Sequence, residues 1–386
     1  MLHTALFLLL ASPGTASAGI HAGTDTRKVQ VSTTAIRQLV LAERRVRGIH
    51  ITSWGAGSAK LRRGLIKKIS ASVINSVVIA VKETDGRVYI PGVEKAHKFG
   101  SYQGAISDPA SMLKDFKAAN LYTIARIVVF KDKVLPNVRH DLGVKNPDGS
   151  LWRSRNGAAW LDPYNKEVWE YTLDIAERAA ELGFDEIQFD YIRYPSEGNT
   201  SLCRYSKPNN RQSAINNIRD FLAYSAKRLA PYNIKISADV FGLTTTVKDD
   251  MGIGQDIKVL AAGVDYVYPM MYPSHYGPGE YNLKDPNANP FIVINRGLKD
   301  AMVKLGTDYA KLRPFLQDFS MGRVYGPSDI RAQIMATRLN YLESWVLWNP
   351  ANKYTWAALT PHSYRAFVDS EYKHPETAEA AEPGEE

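Results

Sequence analysis

The sequence predicts an α/β fold of the (β/α)8 type, a TIM barrel, and three observations carry that expectation. Between residues 46 and 365, short apolar runs alternate with amphipathic helical patterns, eight runs in all. Carboxylates, amides and aromatic rings gather at the C-terminal ends of those runs, the face on which such barrels hold their sites. No glycine-rich phosphate loop follows the first run, which counts against the alternative, a doubly wound open sheet.

In chain order, the first strand, 48–54, ends in Ser53-Trp54. The helix at 59–70 sets Lys60, Arg62, Arg63, Lys67 and Lys68 on what reads as a solvated face. Strand 76–83 ends in Lys82-Glu83, and the helix 109–120 opens on Asp108-Pro109, an N-cap residue followed by proline at the first helical position. Strand 122–132 ends in Lys131-Asp132. The long insertion from 131 to 163, carrying Trp152 and Trp160, leaves its C-terminal end, and loops of that size are usually functional. It is expected to fold over the barrel mouth. A second Asp-Pro pair, Asp162-Pro163, opens the helix at 164–182. The remaining strands are 186–194, 235–242, 264–272, 313–319 and 344–349, and the helices between them are 211–230, 255–261, 290–305 and 328–342.

The fourth strand is the most informative. In Glu186-Ile-Gln-Phe-Asp190-Tyr-Ile-Arg-Tyr194, alternation puts Ile187, Phe189 and Tyr191 on one face and Gln188, Asp190 and Ile192 on the other. Apolar residues toward the helices and Gln/Asp toward the lumen make Asp190 a candidate catalytic carboxylate, with Gln188 below it. The fifth strand offers Asp239, whose parity with Ser237 favours the lumen. Two carboxylates, one held protonated, together with flat rings that offer apolar surface to sugar C–H faces, are what a glycoside site requires. The candidate substrate-binding set is Trp54, Lys82, Trp152, Trp160, Gln188, Arg193, Tyr194, Tyr272, Gln317 and Trp348. Lys82 shares the parity of Val78 and Ala80, which leaves an inward and a solvated rim position both open, and parity does not decide between Gln317 and Asp318.

Other chemistries find little support. No His/Asp/Glu spacing matches a zinc or iron site, no Gly-x-Ser-x-Gly elbow occurs, and the single cysteine, Cys203, has no histidine beside it. No cofactor or metal is expected. The net charge of +8 is scattered rather than gathered into a patch, so nucleic acid is not an expected partner.

The first eighteen residues have the apolar core Ala5–Ala11 and the small-x-small pattern Ala16-Ser17-Ala18, which predicts a signal peptide and an exported protein, periplasmic or secreted. No apolar run is long enough to span a bilayer. An N-terminal extension at 19–45 precedes the barrel at 46–365, and an acidic tail at 366–386 reads as disordered.

From Arg47 to Ser363 the chain resembles a bacterial family of glycoside hydrolase domains, formerly a domain of unknown function. The segments that carry this are 78–83, 125–132, 159–163, 184–195, 238–242 and 268–276. The resemblance implies a glycosidase-type (β/α)8 barrel and names no substrate; Ala80 departs from it where the family pattern has an acidic residue. More distantly, strand 186–194 is similar to the Asp-x-x-Asp-x-Asp-x-Glu strand of family 18 chitinases, with Asp185, Gln188 and Asp190 at the Asp positions and Ile192 at that of the catalytic Glu. Chitinase chemistry does not transfer across that substitution. The expectation is therefore an exported glycoside hydrolase acting on a polysaccharide, a cell-envelope glycan being one candidate, with Asp190 as nucleophile or base and Asp239 as acid. The alternative is a carbohydrate-binding pseudoenzyme on the same barrel.

Overall fold

The computed structural model describes residues 45–364; the leader at 1–18, nearly all of the extension at 19–45 and the tail at 366–386 lie outside them. Eight parallel strands close in sequence order into a barrel: β1 (Arg47–Ile51), β2 (Ser76–Lys82), β3 (Tyr122–Val128), β4 (Glu186–Asp190), β5 (Lys235–Phe241), β6 (Tyr266–Met271), β7 (Phe315–Gln317) and β8 (Trp345–Trp348). The ring closes where Gly48 of β1 pairs with Val346 of β8.

The helices are α1 (Ser53–Gly57), α2 (Ala59–Ser70), α3 (Glu94–Lys98), α4 (Pro109–Ala118), α5 (Leu135–Val138), α6 (Lys166–Leu182), α7 (Arg211–Leu229), α8 (Ile257–Gly263), α9 (Pro290–Leu305) and α10 (Pro327–Leu339). Of the two Asp-Pro starts, Asp108 caps α4 by accepting from the Ser111 amide at 2.9 Å. Asp162 does not cap a helix. Its carboxylate accepts from the amides of Tyr164 and Ser206, and α6 starts four residues later, at Lys166, under the cap of Asn165. No helix among the described residues is long and apolar enough to cross a membrane.

Two apolar layers follow from strand alternation. Ile187 and Phe189 join the larger core between strands and helices, while Val78, Ile124, Tyr268, Phe315 and Val346 fill the lumen. The strand reading runs too long at β4. Tyr191 adopts a left-handed backbone (φ 51°), which ends the strand at Asp190 and sends Ile192 into the outer core rather than the lumen. Lys82 is redirected by a register shift between Ala80 and Lys82 against β3. It lies fully buried outside the barrel, 2.9 Å from the Asp132 carboxylate and 2.9 Å from the Val128 carbonyl. That ion pair anchors the start of the long insertion, because Asp132 also accepts from the amides of Val134 and Leu135.

Gly57, at the end of α1, is a close-approach glycine: a Cβ there would lie 1.8 Å from the Ala105 carbonyl oxygen. The obstacle is backbone, so Gly57→Ala is expected to cost about 1–3 kcal/mol, the range of ordinary overpacking. A thermal melt checks this, and an unchanged midpoint would show that the segment carrying Ala105 gives way freely.

Candidate active site

The floor of the barrel is closed. Glu186, at the start of β4, accepts from Arg313 (2.8 Å), Tyr122 (3.0 Å), Tyr268 (2.9 Å) and Ser237 (2.6 Å), all buried, and the Arg313 guanidinium lies 3.2 Å from the centre of the Tyr266 ring. With the Glu186 carboxylate fully paired there, chemistry is left to the opposite, C-terminal end.

There the hub is Arg126 of β3. Its Nε and one terminal nitrogen bond Asp190 Oδ2 at 2.8 and 2.5 Å, and the other terminal nitrogen bonds Glu83 Oε1 at 2.9 Å. The same guanidinium lies 5.0 Å from the Trp348 ring of β8, a strand that is not its neighbour, so Arg126 and Asp190 must face the lumen. Burial opposes the charge on Arg126, but Glu83, Asp190 and Asp239 outweigh it and hold the guanidinium firmly protonated. The second oxygen of Asp190 accepts from the Tyr191 amide at 2.6 Å, an arrangement made by the left-handed turn at that residue. Strain of this kind collects at functional sites.

Asp239 of β5 has a different environment. It is almost wholly buried, and neither oxygen has a hydrogen-bond partner among the described residues. Burial first, and then the negative charge of Asp190, push its pKa well above the usual carboxylate range, only partly opposed by Arg126. Both amide atoms of Gln188 and both ring nitrogens of His50 are likewise buried without partners. The His50 ring stacks on Trp348 (3.9 Å, 25°), with Nε2 4.0 Å from Glu83, and burial reinforced by Arg126 keeps it neutral. Buried polar groups are seldom left unpaired, so three such side chains in one lumen mark a place built to receive hydroxyls or other polar groups.

The opening is lined by partly exposed apolar groups: Trp348, Phe319 and Met270 pack on the lumen cluster, and Tyr191 and Phe241 follow β4 and end β5. Tyr272 sits at the mouth, its hydroxyl held well above the usual phenol range by burial and then by Asp239 and Asp190. Among the described residues, no group of three or more His, Cys, Asp or Glu side chains suits a metal ion.

Of the candidates named from sequence, Asp190, Asp239, Gln188, Tyr272 and Trp348 come together here. Arg193 lies buried beside the site, its guanidinium against Trp160 (4.9 Å), Tyr191 (5.0 Å) and Phe241 (4.5 Å). Trp160 is thus buried beneath Arg193 rather than offered to solvent. Trp54 is 57% exposed on the first turn after β1. The others are engaged elsewhere. Trp152 is buried, donating to the Asn199 carbonyl; Tyr194 packs on Tyr164 and Tyr205; Gln317 spends its amide on the Ser274 amide and the Phe319 carbonyl. The insertion that holds Trp152 and Trp160 pairs with itself and with Arg204, and both tryptophans are buried in the core shared by strands and helices.

Arg126, Glu83 and His50 were not singled out in sequence as site residues. A signal existed for two of them: an arginine and a histidine in otherwise apolar strands, in Ile-Ala-Arg126-Ile-Val and Gly-Ile-His50-Ile, must find partners in the lumen.

Comparison with known proteins bears on the same residues. A family model described as "Putative glycosyl hydrolase domain" matches residues 48–354. No curated protein matches the chain. Among solved structures, a hypothetical protein from Ruminiclostridium thermocellum is 34% identical over 50% of this chain and 97% of its own, with a TM-score of 0.46. The glycoside hydrolase domain of PgaB (BpsB) from Bordetella bronchiseptica is 13% identical, covering 84% of this chain and 98% of that one, with a TM-score of 0.59. The α-galactosidase TtGalA from Thermus thermophilus is 12% identical over 87% of this chain and 65% of its own, with a TM-score of 0.53. With the last two the likeness is one of fold.

Proposed function

The chain belongs to the putative glycosyl hydrolase domain family, and from that premise we propose that it is an exported hydrolase of polysaccharides, with Asp190 as nucleophile or base and Asp239 as general acid. The observation that carries the proposal is the contrast between two carboxylates on adjacent strands in one lumen. Asp190 is paired with a guanidinium, whereas Asp239 is buried, has no hydrogen-bond partner among the described residues and is driven toward its protonated form. Environments that push two acids apart in this way divide the roles of glycoside cleavage between them. Protonated Asp239 would give its proton to the leaving oxygen, and Asp190 would take the anomeric carbon or activate water. Gln188 and His50 would bond ring hydroxyls, and Trp348 would carry the sugar's C–H face.

A polymer substrate is favoured because Trp348 and Phe319 both pack on the lumen cluster at the opening and an exposed ring, Trp54, stands on the turn after β1. Export rests on the Ala5–Ala11 core and the Ala16-Ser17-Ala18 pattern, and sequencing the mature N-terminus tests it. The deciding experiment is a screen of defined polysaccharides with reducing-end detection.

One observation favours the binding-only alternative: Asp190 already spends Oδ2 on two Arg126 bonds and Oδ1 on the Tyr191 amide. Under that alternative no glycan is cut, yet binding still depends on Trp348. In either case Trp348→Ala is expected to weaken glycan affinity by about 1–3 kcal/mol, the worth of burying a large side chain. Titration calorimetry checks it, and unchanged affinity would remove Trp348 from the site.

A further inference from the structure

A second concavity, a cleft of about 690 Å³, opens on the same face of the barrel. Its walls are the loop that follows β4, the strand of Asp190, with Gly252 from the loop that follows β5, the strand of Asp239. The chemistry of this cleft differs from that of the mouth. Arg204 and Lys207 supply two cations, Ser206 and Asn209 supply hydroxyl and amide groups, and Tyr205 supplies ring surface, backed by the buried Tyr194. No carboxylate lines it.

The acids of the surrounding loops have partners of their own: Glu197 lies 3.8 Å from Lys131, and Asp249 accepts from the Met251 amide. Asp162 accepts from the Tyr164 and Ser206 amides, and Asp250 is held by the Gly254 amide and by Arg211 at 3.3 Å. Arg204 spends one nitrogen on the carbonyls of Ser201 and Cys203, which fixes its side chain along the wall. Lys207 is exposed and makes no hydrogen bond or ion pair among the described residues. Its charge lies close enough to Lys166 to press that ammonium downward in pKa, after the larger effect of burial. A positive, acid-free cleft with stacking surface is suited to an anionic sugar residue.

We propose that this cleft is a distal subsite for an anionic glycan, so that the polysaccharide taken by this protein carries carboxylate or phosphate groups along its chain. The proposal rests on the hydrolase reading for the placement of the glycan. It does not rest on turnover.

The test is binding by the full chain, measured by calorimetry with three probes: an oligogalacturonate, a poly(glycerol phosphate) oligomer and a neutral cello-oligosaccharide. Asp190→Asn is used as background so that no probe is consumed. At least one anionic probe is expected to bind more tightly than the neutral one and to weaken as ionic strength rises. Lys207→Glu, which has no bond to lose, is expected to weaken that probe roughly tenfold or more, as is fitting for a lost charge-assisted contact. Arg204→Gln is expected to act in the same direction. Which anionic probe responds tells carboxylate from phosphate. Equal binding of charged and neutral probes overturns the proposal, as does indifference of the anionic probe to both substitutions. Anionic binding that is lost on Trp348→Ala but kept in Lys207→Glu places the anion in the mouth and also overturns it. Failure of the wild type to cut any glycan would sink the hydrolase proposal while leaving these binding results intact.

Discussion

Asp190→Asn is expected to keep the fold and lose most turnover on any glycan the wild type cuts. The amide preserves shape and still accepts from Arg126, but it carries no negative charge for the anomeric centre or for a water. Removing a general base costs typically about 10²–10⁴-fold, and removing a nucleophile can cost more. The companion variant, Asp239→Asn, removes the proton donor. It should be nearly as damaging with a poor leaving group and much milder with an activated aryl glycoside, whose departure needs little protonation. The raised pKa of Asp239 sets the pH signature: wild-type turnover falls as pH rises through that value, and the limb disappears in Asp239→Asn. Stability moves in a linked way. Between the ordinary aspartate range and the raised folded value, the native state holds a proton that the unfolded chain has released, so folding weakens as pH rises. Asp239→Asn should therefore melt higher than wild type at neutral pH and show less pH dependence. Activity that survives both substitutions would show the carboxylates to be wrongly chosen, with Glu83 the next candidate.

Much of this site was visible in sequence because strand alternation is a local property. Asp190, Gln188 and Asp239 follow from parity with apolar neighbours that must meet the helices, and a closed parallel barrel turns parity into position. Parity fails where the backbone leaves the strand path. A left-handed Tyr191 removed Ile192 from the lumen, and the β2 register shift carried Lys82 out to meet Asp132. Neither event has a glycine or proline to announce it. The insertion misled for a different reason. Length suggested a lid, but its tryptophans are buried in the core shared by strands and helices, Trp160 against Arg193 beside the site, and core demand cannot be told from ligand demand in one sequence. Arg126 was legible in principle, since a charge inside an apolar strand requires compensation; which carboxylates supply it depends on strands far apart in the chain.

The largest loss of stability is expected at the barrel floor, in Arg313→Met. Arg313 and Glu186 are separated by 127 positions in sequence, and both are almost wholly buried. Taking two charges out of water is repaid here by their 2.8 Å contact, by the Tyr122, Tyr268 and Ser237 hydroxyls, and by the Tyr266 ring under the guanidinium. Methionine fills most of the volume but strands the Glu186 charge, and breaking a buried pair on one side costs about 3–5 kcal/mol. Glu186→Gln strands the guanidinium in turn, so the double variant should cost less than the two single losses added together. Urea midpoints measure all three. A deficit smaller than about 1 kcal/mol, or single losses that simply add in the double variant, would show that the lumen hydroxyls hold Glu186 without Arg313.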